Sequence, residues 1–274
     1  MTRMMRAGAW LALCVAALPL AAATLPGSMS QGGLVIATVP TGAVATVNDK
    51  PVRVGTDGTL AFGAGRDEKG PLTVVLTLPD GRRTTTLIAV TPRAWPLERV
   101  NGVPSKTVNP PPDIAARIQR EQAEVAAARK RDDDREGFTH GFIWPVVGRI
   151  SGRFGSQRVF NGTPKSPHPG MDIAVPQGTP VKAPADGIVT FAKPDLYLTG
   201  GTVLIDHGYG LSSNFLHLSR LDVKVGQQVR QGEIIGAAGM TGRATGPHVH
   251  WGFNWFEVRL DPMLLPGIEG TSPH

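Results

Sequence analysis

The chain has 274 residues and a net charge of +6, from 28 Lys and Arg against 22 Asp and Glu. So mild a basic excess favours anionic polymers in general and selects none, so it does not call for a nucleic-acid partner. A single cysteine excludes an intramolecular disulfide framework, while 34 glycines and 24 prolines point to many turns and short strands.

Residues 1–23 read as an export signal. Arg3 and Arg6 form the positive start, Trp10 to Leu20 the apolar run, and Ala21-Ala22-Ala23 a small-residue cleavage site. The run is too short for a transmembrane span. Leu11-Ala12-Leu13-Cys14 has the outline of a lipidation site, but Leu13 is bulky where a small residue is needed, and the apolar run continues past Cys14. The expectation is a periplasmic or secreted protein with no stable membrane anchor. Cleavage after Ala23 removes Cys14, so thiolate ligands are excluded and any metal must be held by imidazole and carboxylate.

Residues 33–92 are expected to form a small all-β accessory domain, sandwich-like and without catalytic residue types. Leu34 to Val39, Val44 to Val47 and Val52 to Val54 are strand-like, with Asn48-Asp49 turning between the last two. Leu72 to Leu78 and Thr84 to Val90 flank Asp80-Gly81, a hairpin turn. Residues 93–136 form a linker: an extended proline-rich stretch to Pro112, then a helix capped by Asp113 and running to about Asp132. Its Ile114, Ile118 and Val125 share one face, and its charges suit a solvated helix leaning on a neighbouring unit.

From residue 137 to 274 the texture is short β-strands separated by Gly and Pro. Thr179 to Val189 and Val223 to Ile235 each read as strand, turn, strand. Five residues here are chemically informative: His168 and Asp172 in one stretch, His217 in Phe215-Leu216-His217-Leu218-Ser219, and His248 and His250 around Val249. Side chains two apart on a strand share a face, so His248 and His250 project together with Val249 behind them. A histidine, an aspartate four residues on and a distant His-x-His offer enough nitrogen and oxygen for zinc. Three protein ligands make a zinc site catalytic and four make it structural, so a set of five leaves imidazoles for proton transfer.

These motifs resemble the lysostaphin-type zinc metallopeptidases, which cut peptide bonds in bacterial peptidoglycan. The pattern His168-Pro169-Gly170-Met171-Asp172, Phe215 to Ser219, and His248-Val249-His250 carries the resemblance. Gly152-Arg153-Phe154-Gly155, Ala183 to Gly187 and Thr241 to Pro247 extend it to about half the chain. It implies that His168, Asp172 and His250 bind zinc while His217 and His248 are catalytic. The fold it implies is mainly β, an antiparallel β groove with zinc at its floor. The substrate it implies is a peptidoglycan stem-peptide cross-link, cut by an endopeptidase or a D,D-carboxypeptidase. Residues 33–136 resemble, less specifically, the accessory region of proteobacterial members.

Two rival readings stand beside this one. A non-catalytic murein-binding regulator or amidase activator could use the same fold, although the five residues are intact. A lipoyl- or biotinyl-like carrier needs an acceptor lysine at a hairpin tip, whereas Lys182 falls inside an expected strand. The accessory domain is a candidate for occluding the groove. Arg158 and Tyr197 are candidates for touching substrate or packing on the rim; His207 is expected to close a turn beside the core, and His140 and His274 to be exposed.

Overall fold

Alternating apolar and polar residues build the first half of the chain. The computed structural model describes residues 23–102 and 110–271. The export signal through residue 22, the 103–109 part of the proline-rich stretch, and His274 lie outside the described residues. Strands β1 (Ser28–Ser30), β2 (Leu34–Thr38), β3 (Val44–Val47), β4 (Lys50–Val52), β5 (Thr59–Gly63), β6 (Leu72–Thr77) and β7 (Arg83–Thr91) come first. They form a five-stranded sheet ordered β1-β7-β6-β3-β4 and a separate β2-β5 ribbon. In β6, Leu72, Val74 and Leu76 face inward while the intervening residues do not, as the period of two requires.

The third expected strand begins earlier than Val52. Asn48 and Asp49 both adopt left-handed backbone (φ 48° and 63°), so the two-residue turn delivers Lys50 directly opposite Val47. Val54 keeps only an isolated bridge to Leu60.

The β2-β5 ribbon belongs to two cores at once. Val35, Ala37, Leu60 and Phe62 pack with Val74, Leu76 and Ile88 of the five-stranded sheet. Ala61, with Leu34 and Ile36, packs from the other face against the core of the second half. Every residue of β5 is therefore buried. The same junction is clasped by Arg93, whose Nη1 donates to Asp261 Oδ2 at 2.8 Å, and by Trp95 lying between Arg66 and Arg93 (5.2 and 4.6 Å to the ring).

The proline-rich stretch contains a strand that local pattern did not announce, β8 (Leu97–Val100). Helix α1 (Pro112–Ala128) follows. Its N-cap is Pro111, with no side-chain capping bond, so Asp113 lies inside the first turn instead of capping it. The fixed φ of Pro112 is preorganised for the first helical position and starts the helix two residues sooner than expected. It ends at Ala128, not Asp132; the following acids are engaged outside the helix, Asp132 with Arg53 and Asp133 with Arg131 and Arg135. Val125 and Ala128 lean on Phe191, Leu196 and Leu204, and no residue of the helix is fully buried.

The second half holds β9 (Arg149–Gly152), β10 (Gln157–Phe160), β11 (Thr163–Pro164), β12 (Met171–Ala174), β13 (Pro180–Lys182), β14 (Gly187–Leu196) and β15 (Gly200–Gly208). It continues with β16 (Leu211–Leu218), β17 (Arg220–Leu221), β18 (Gln228–Val229), β19 (Ile234–Ala237), β20 (His248–Trp255) and β21 (Val258–Leu260). An antiparallel eight-stranded sheet runs β18-β14-β15-β16-β20-β12-β9, with β21 paired to β20. Strands β13, β19 and β17 form a smaller sheet. Strand β8 joins β10 in parallel, so the segment before the helix becomes part of the second half. Among the described residues, no helix is long and apolar enough to cross a membrane.

Candidate metal centre and active site

Strand pairing brings the first two site residues together. In the β12-β20 ladder Asp172 stands directly opposite His250, so their side chains leave the same face of the sheet. His248 lies two residues along β20 and shares that face, while Val249 is fully buried behind it. His168 arrives from the loop before β12. Its backbone N–H donates to Ser156 O and its carbonyl accepts from Gly155, both at 2.9 Å. Gly170 in that loop permits close packing: a Cβ there would stand 2.7 Å from His250 Nε2 and 2.6 Å from Trp251 O.

His217 reaches the site by breaking strand alternation. Its neighbour Leu216 is paired with His250, so Leu216 already takes the groove face and the next side chain would point away. His217 instead adopts left-handed backbone (φ 65°), and its N–H donates to Thr199 O at 2.8 Å. A non-glycine residue held there stores about 1–2 kcal/mol of strain, a cost associated with functional positions. Its ring lies 4.7 Å from that of His248, centroid to centroid.

Three potential ligand atoms converge. His168 Nε2 lies 3.0 Å from His250 Nδ1 and 3.0 Å from Asp172 Oδ1, and the last two are 2.8 Å apart. His168 Nδ1–H donates to Arg153 O at 3.1 Å, which leaves the Nε2 lone pair facing the cluster. Burial pushes His250 down to about 3, so it is neutral at pH 7. Burial alone would raise Asp172, but attraction to His168 and then His250 holds its carboxyl well below the usual range. Two imidazoles and one ionised carboxylate suit a divalent cation, and among the described residues they form the one cluster able to hold it. His250 Nε2 is buried without a hydrogen-bond partner.

The remaining two imidazoles are set up alike. His217 Nδ1–H donates to Thr241 O and His248 Nδ1–H to Gly246 O, each at 2.8 Å. Both therefore keep Nε2 as the proton-accepting atom. Burial, and then the neighbouring His248, pushes His217 down to about 4, so it too is neutral at pH 7. All five residues line one cavity of about 1520 Å³. The accessory half supplies part of its wall through Lys50, Arg66 and Glu68.

Arg158 lines the cavity and is tied to the ligand set. Its Nη2 donates to Asp172 Oδ2 at 2.6 Å, and Glu98 from β8 lies 3.4 Å from its Nε. The role of Glu98 had no local signal, because it depends on the β8-β10 pairing. Tyr197 packs at the helix: its backbone N–H donates to Glu121 Oε2 at 2.8 Å, and Arg117 lies 5.8 Å from its ring centroid. His140 is exposed.

His207 lies inside β15 and is fully buried, in the strand and not in the turn expected of it. Its Nδ1–H donates to Asp186 O at 2.7 Å, and Nε2 accepts from Ser213 Oγ at 2.9 Å. Burial pushes it down to about 4. Between pH 6.5 and 4 the unfolded chain therefore binds a proton that the folded chain refuses. Stability contributed by the neutral ring is complete above pH 6.5 and falls as pH drops through that window, by about 3 kcal/mol in all. Asp206, pushed up to about 7 by burial, has the opposite slope, so the difference between variant and wild type is the informative quantity. The stability of wild type relative to His207→Gln is expected to fall by about 3 kcal/mol as pH drops from 6.5 to 4. Denaturant melts across that range test this; parallel curves would remove His207 as their source.

Comparison with known proteins follows the same half of the chain. Residues 166–262 match peptidase family M23, a span containing all five site residues. The chain is 44% identical over 104 residues to the peptidoglycan DD-endopeptidase ShyA of Vibrio cholerae, covering 38% of this chain and 24% of that protein. It is 48% identical over 107 residues to the DD-carboxypeptidase/endopeptidase Mpg of Neisseria meningitidis, covering 39% and 23% respectively. The chain thus spans about a quarter of the length of these curated relatives. The crystal structure of a Pseudomonas aeruginosa protein described as an M23 peptidase superposes with a TM-score of 0.67 at 34% identity, covering 86% of this chain and 93% of that one.

Proposed function

This chain belongs to peptidase family M23, and we propose that it is a zinc-dependent hydrolase of peptide bonds in peptidoglycan, acting outside the cytoplasmic membrane. The observation that carries this reading is the convergence of His168 Nε2, Asp172 Oδ1 and His250 Nδ1 within 3.0 Å of one another, in one cavity with two further imidazoles. The bond class we propose is the stem-peptide cross-link; relatives named as a peptidoglycan DD-endopeptidase and a DD-carboxypeptidase/endopeptidase support that reading. In this reading residues 137–274 carry the chemistry, 33–92 form the accessory β unit, 93–136 link them with β8 docked on β10, and 1–23 direct export.

When bound, zinc supplies a Lewis acid that polarises a carbonyl and brings the pKa of a water to about 7. The chain's own residues do the rest. Arg158 holds Asp172 Oδ2, and the Arg153 carbonyl fixes the tautomer of His168, so two of the three ligands are oriented by hydrogen bonds. His217 and His248 present their Nε2 atoms, the rings held by Thr241 O and Gly246 O. One takes the proton of the attacking water, and the other stabilises the oxygen of the scissile carbonyl as charge builds there. The proton then passes to the leaving amine. No covalent intermediate is required.

The non-catalytic regulator remains the rival, and one experiment separates the two. The zinc-loaded full chain is incubated with purified cross-linked muropeptides, and the products are analysed by mass. Cleavage that stops on chelation and returns with zinc is the expected outcome; murein binding without any bond cut would give the protein to the rival reading.

A further inference from the structure

The groove floor continues well past the metal centre. Along β20, His250, Gly252 and Asn254 share one face, and Asn254 stands opposite Arg259 of β21. Four residues of strand separate His250 from Asn254, roughly 13 Å at 3.3 Å per residue. Gly252 carries no side chain over that stretch, and Asn214 lies across it, its amide donating to Asn254 Oδ1 at 3.3 Å. Arg259 Nη1 donates to the same Asn254 oxygen at 3.0 Å. Arg129, at the C-terminal cap of α1, stands beside Arg259, and both line the cavity that contains the five site residues.

Among the described residues this pair of like charges lacks a carboxylate partner. Among the described residues neither arginine is in an ion pair, and Arg129 Nε is buried without a hydrogen bond. Glu257 is the one carboxylate whose field reaches both, yet it is exposed and pairs with neither. Burial, and then the like charge of Arg259, pushes Arg129 down to about 9. Two crowded guanidinium groups with unused donors are unfavourable in a protein that gains nothing from them. They suit a planar anion, for which guanidinium offers a matching fork of donors.

We infer that Arg129 and Arg259 form a carboxylate-binding subsite of this groove, which reads an acidic group of a peptide substrate away from the bond being cut. An extended peptide advances about 3.3 Å per residue, so the group lies roughly four residues from that bond. Acidic stem peptides supply such carboxylates, and in that respect the inference rests on the peptidoglycan reading. The arginines confer selectivity for substrates whose distal carboxylates are free over those in which they are amidated.

The test uses a synthetic stem tetrapeptide with free carboxylates and its fully amidated counterpart, each titrated calorimetrically into the zinc-loaded full chain. Wild type is expected to bind the free acid about tenfold more tightly, and Arg129→Gln and Arg259→Gln each to erase most of that gap with zinc content unchanged. Arg259→Gln also forfeits the bond to Asn254. If it fails to fold, Arg129→Gln carries the test, because its buried Nε has no bond to lose. Equal binding of the two peptides by wild type would overturn the subsite. So would a gap that survives in Arg129→Gln, since the carboxylate would then be read at the metal. A wild type that shows the gap and its loss in the variants, yet cuts no muropeptide, would keep the subsite and sink the peptidase reading.

Discussion

His250→Ala is expected to lose the metal and, with it, all measurable hydrolysis. His250 Nδ1 lies 2.8 Å from Asp172 Oδ1 and 3.0 Å from His168 Nε2, so its removal leaves a two-ligand site where catalytic zinc needs three. Loss of a residue that only orients a ligand weakens metal binding by about 10–100-fold, and loss of a ligand is expected to exceed that. His168→Ala should behave likewise. Asp172→Ala should be worse, because it leaves the Arg158 guanidinium facing a site meant for a cation. Metal content measured after dialysis at fixed free zinc is the check. A His250→Ala protein that retained stoichiometric zinc would remove this residue from the ligand set.

His217→Ala and His248→Ala are expected to give the opposite pattern: full zinc content, with kcat lower by roughly 10²–10⁴. Neither ring supplies an atom to the ligand triangle, and each is held instead by a backbone carbonyl, Thr241 O or Gly246 O. If the two share one proton-transfer event, the double variant should lose little more than the worse single variant. His217 carries a further expectation. Its left-handed backbone is what turns the ring toward the groove, so even a conservative His217→Gln should retain zinc and the fold while losing rate. Single-turnover rates on a defined muropeptide, measured beside zinc content, decide the matter; normal rates in His217→Ala would refute its role.

The five residues singled out in the sequence line one cavity, and four of them carry a local signature. His-x-His on one strand must share a face, and the Asp172 strand and the His168 loop are punctuated by Pro169 and Gly170. The hairpin at Asp80-Gly81 and the alternation of Leu72, Val74 and Leu76 were legible for the same reason. Legibility failed where the determinant was distant. Asp113 looked like a helix cap, yet Pro112 next to it started the helix first. Leu97 to Val100 looked like extended linker, because the partner giving it a strand's hydrogen bonds, β10, lies some 60 residues on. For Arg158, nothing local says that its guanidinium closes on Asp172.

By itself the sequence determined the kind of chemistry available: no cysteine beyond residue 14, imidazole and carboxylate as the ligand types of the second half, and more histidines in its motifs than three-ligand zinc can use. Short-range rules are enough for that, since they depend on residue type and on strand periodicity. Tertiary structure decided how those residues are brought together. The Asp172–His250 register, the left-handed turn at His217 and the Arg158–Asp172 pair come from backbone and side-chain hydrogen bonds between segments far apart in the chain. So do the two-faced ribbon joining the halves and the Arg129–Arg259 pair down the groove. Such contacts form only when the sheet closes, and they leave no periodic trace in either partner alone.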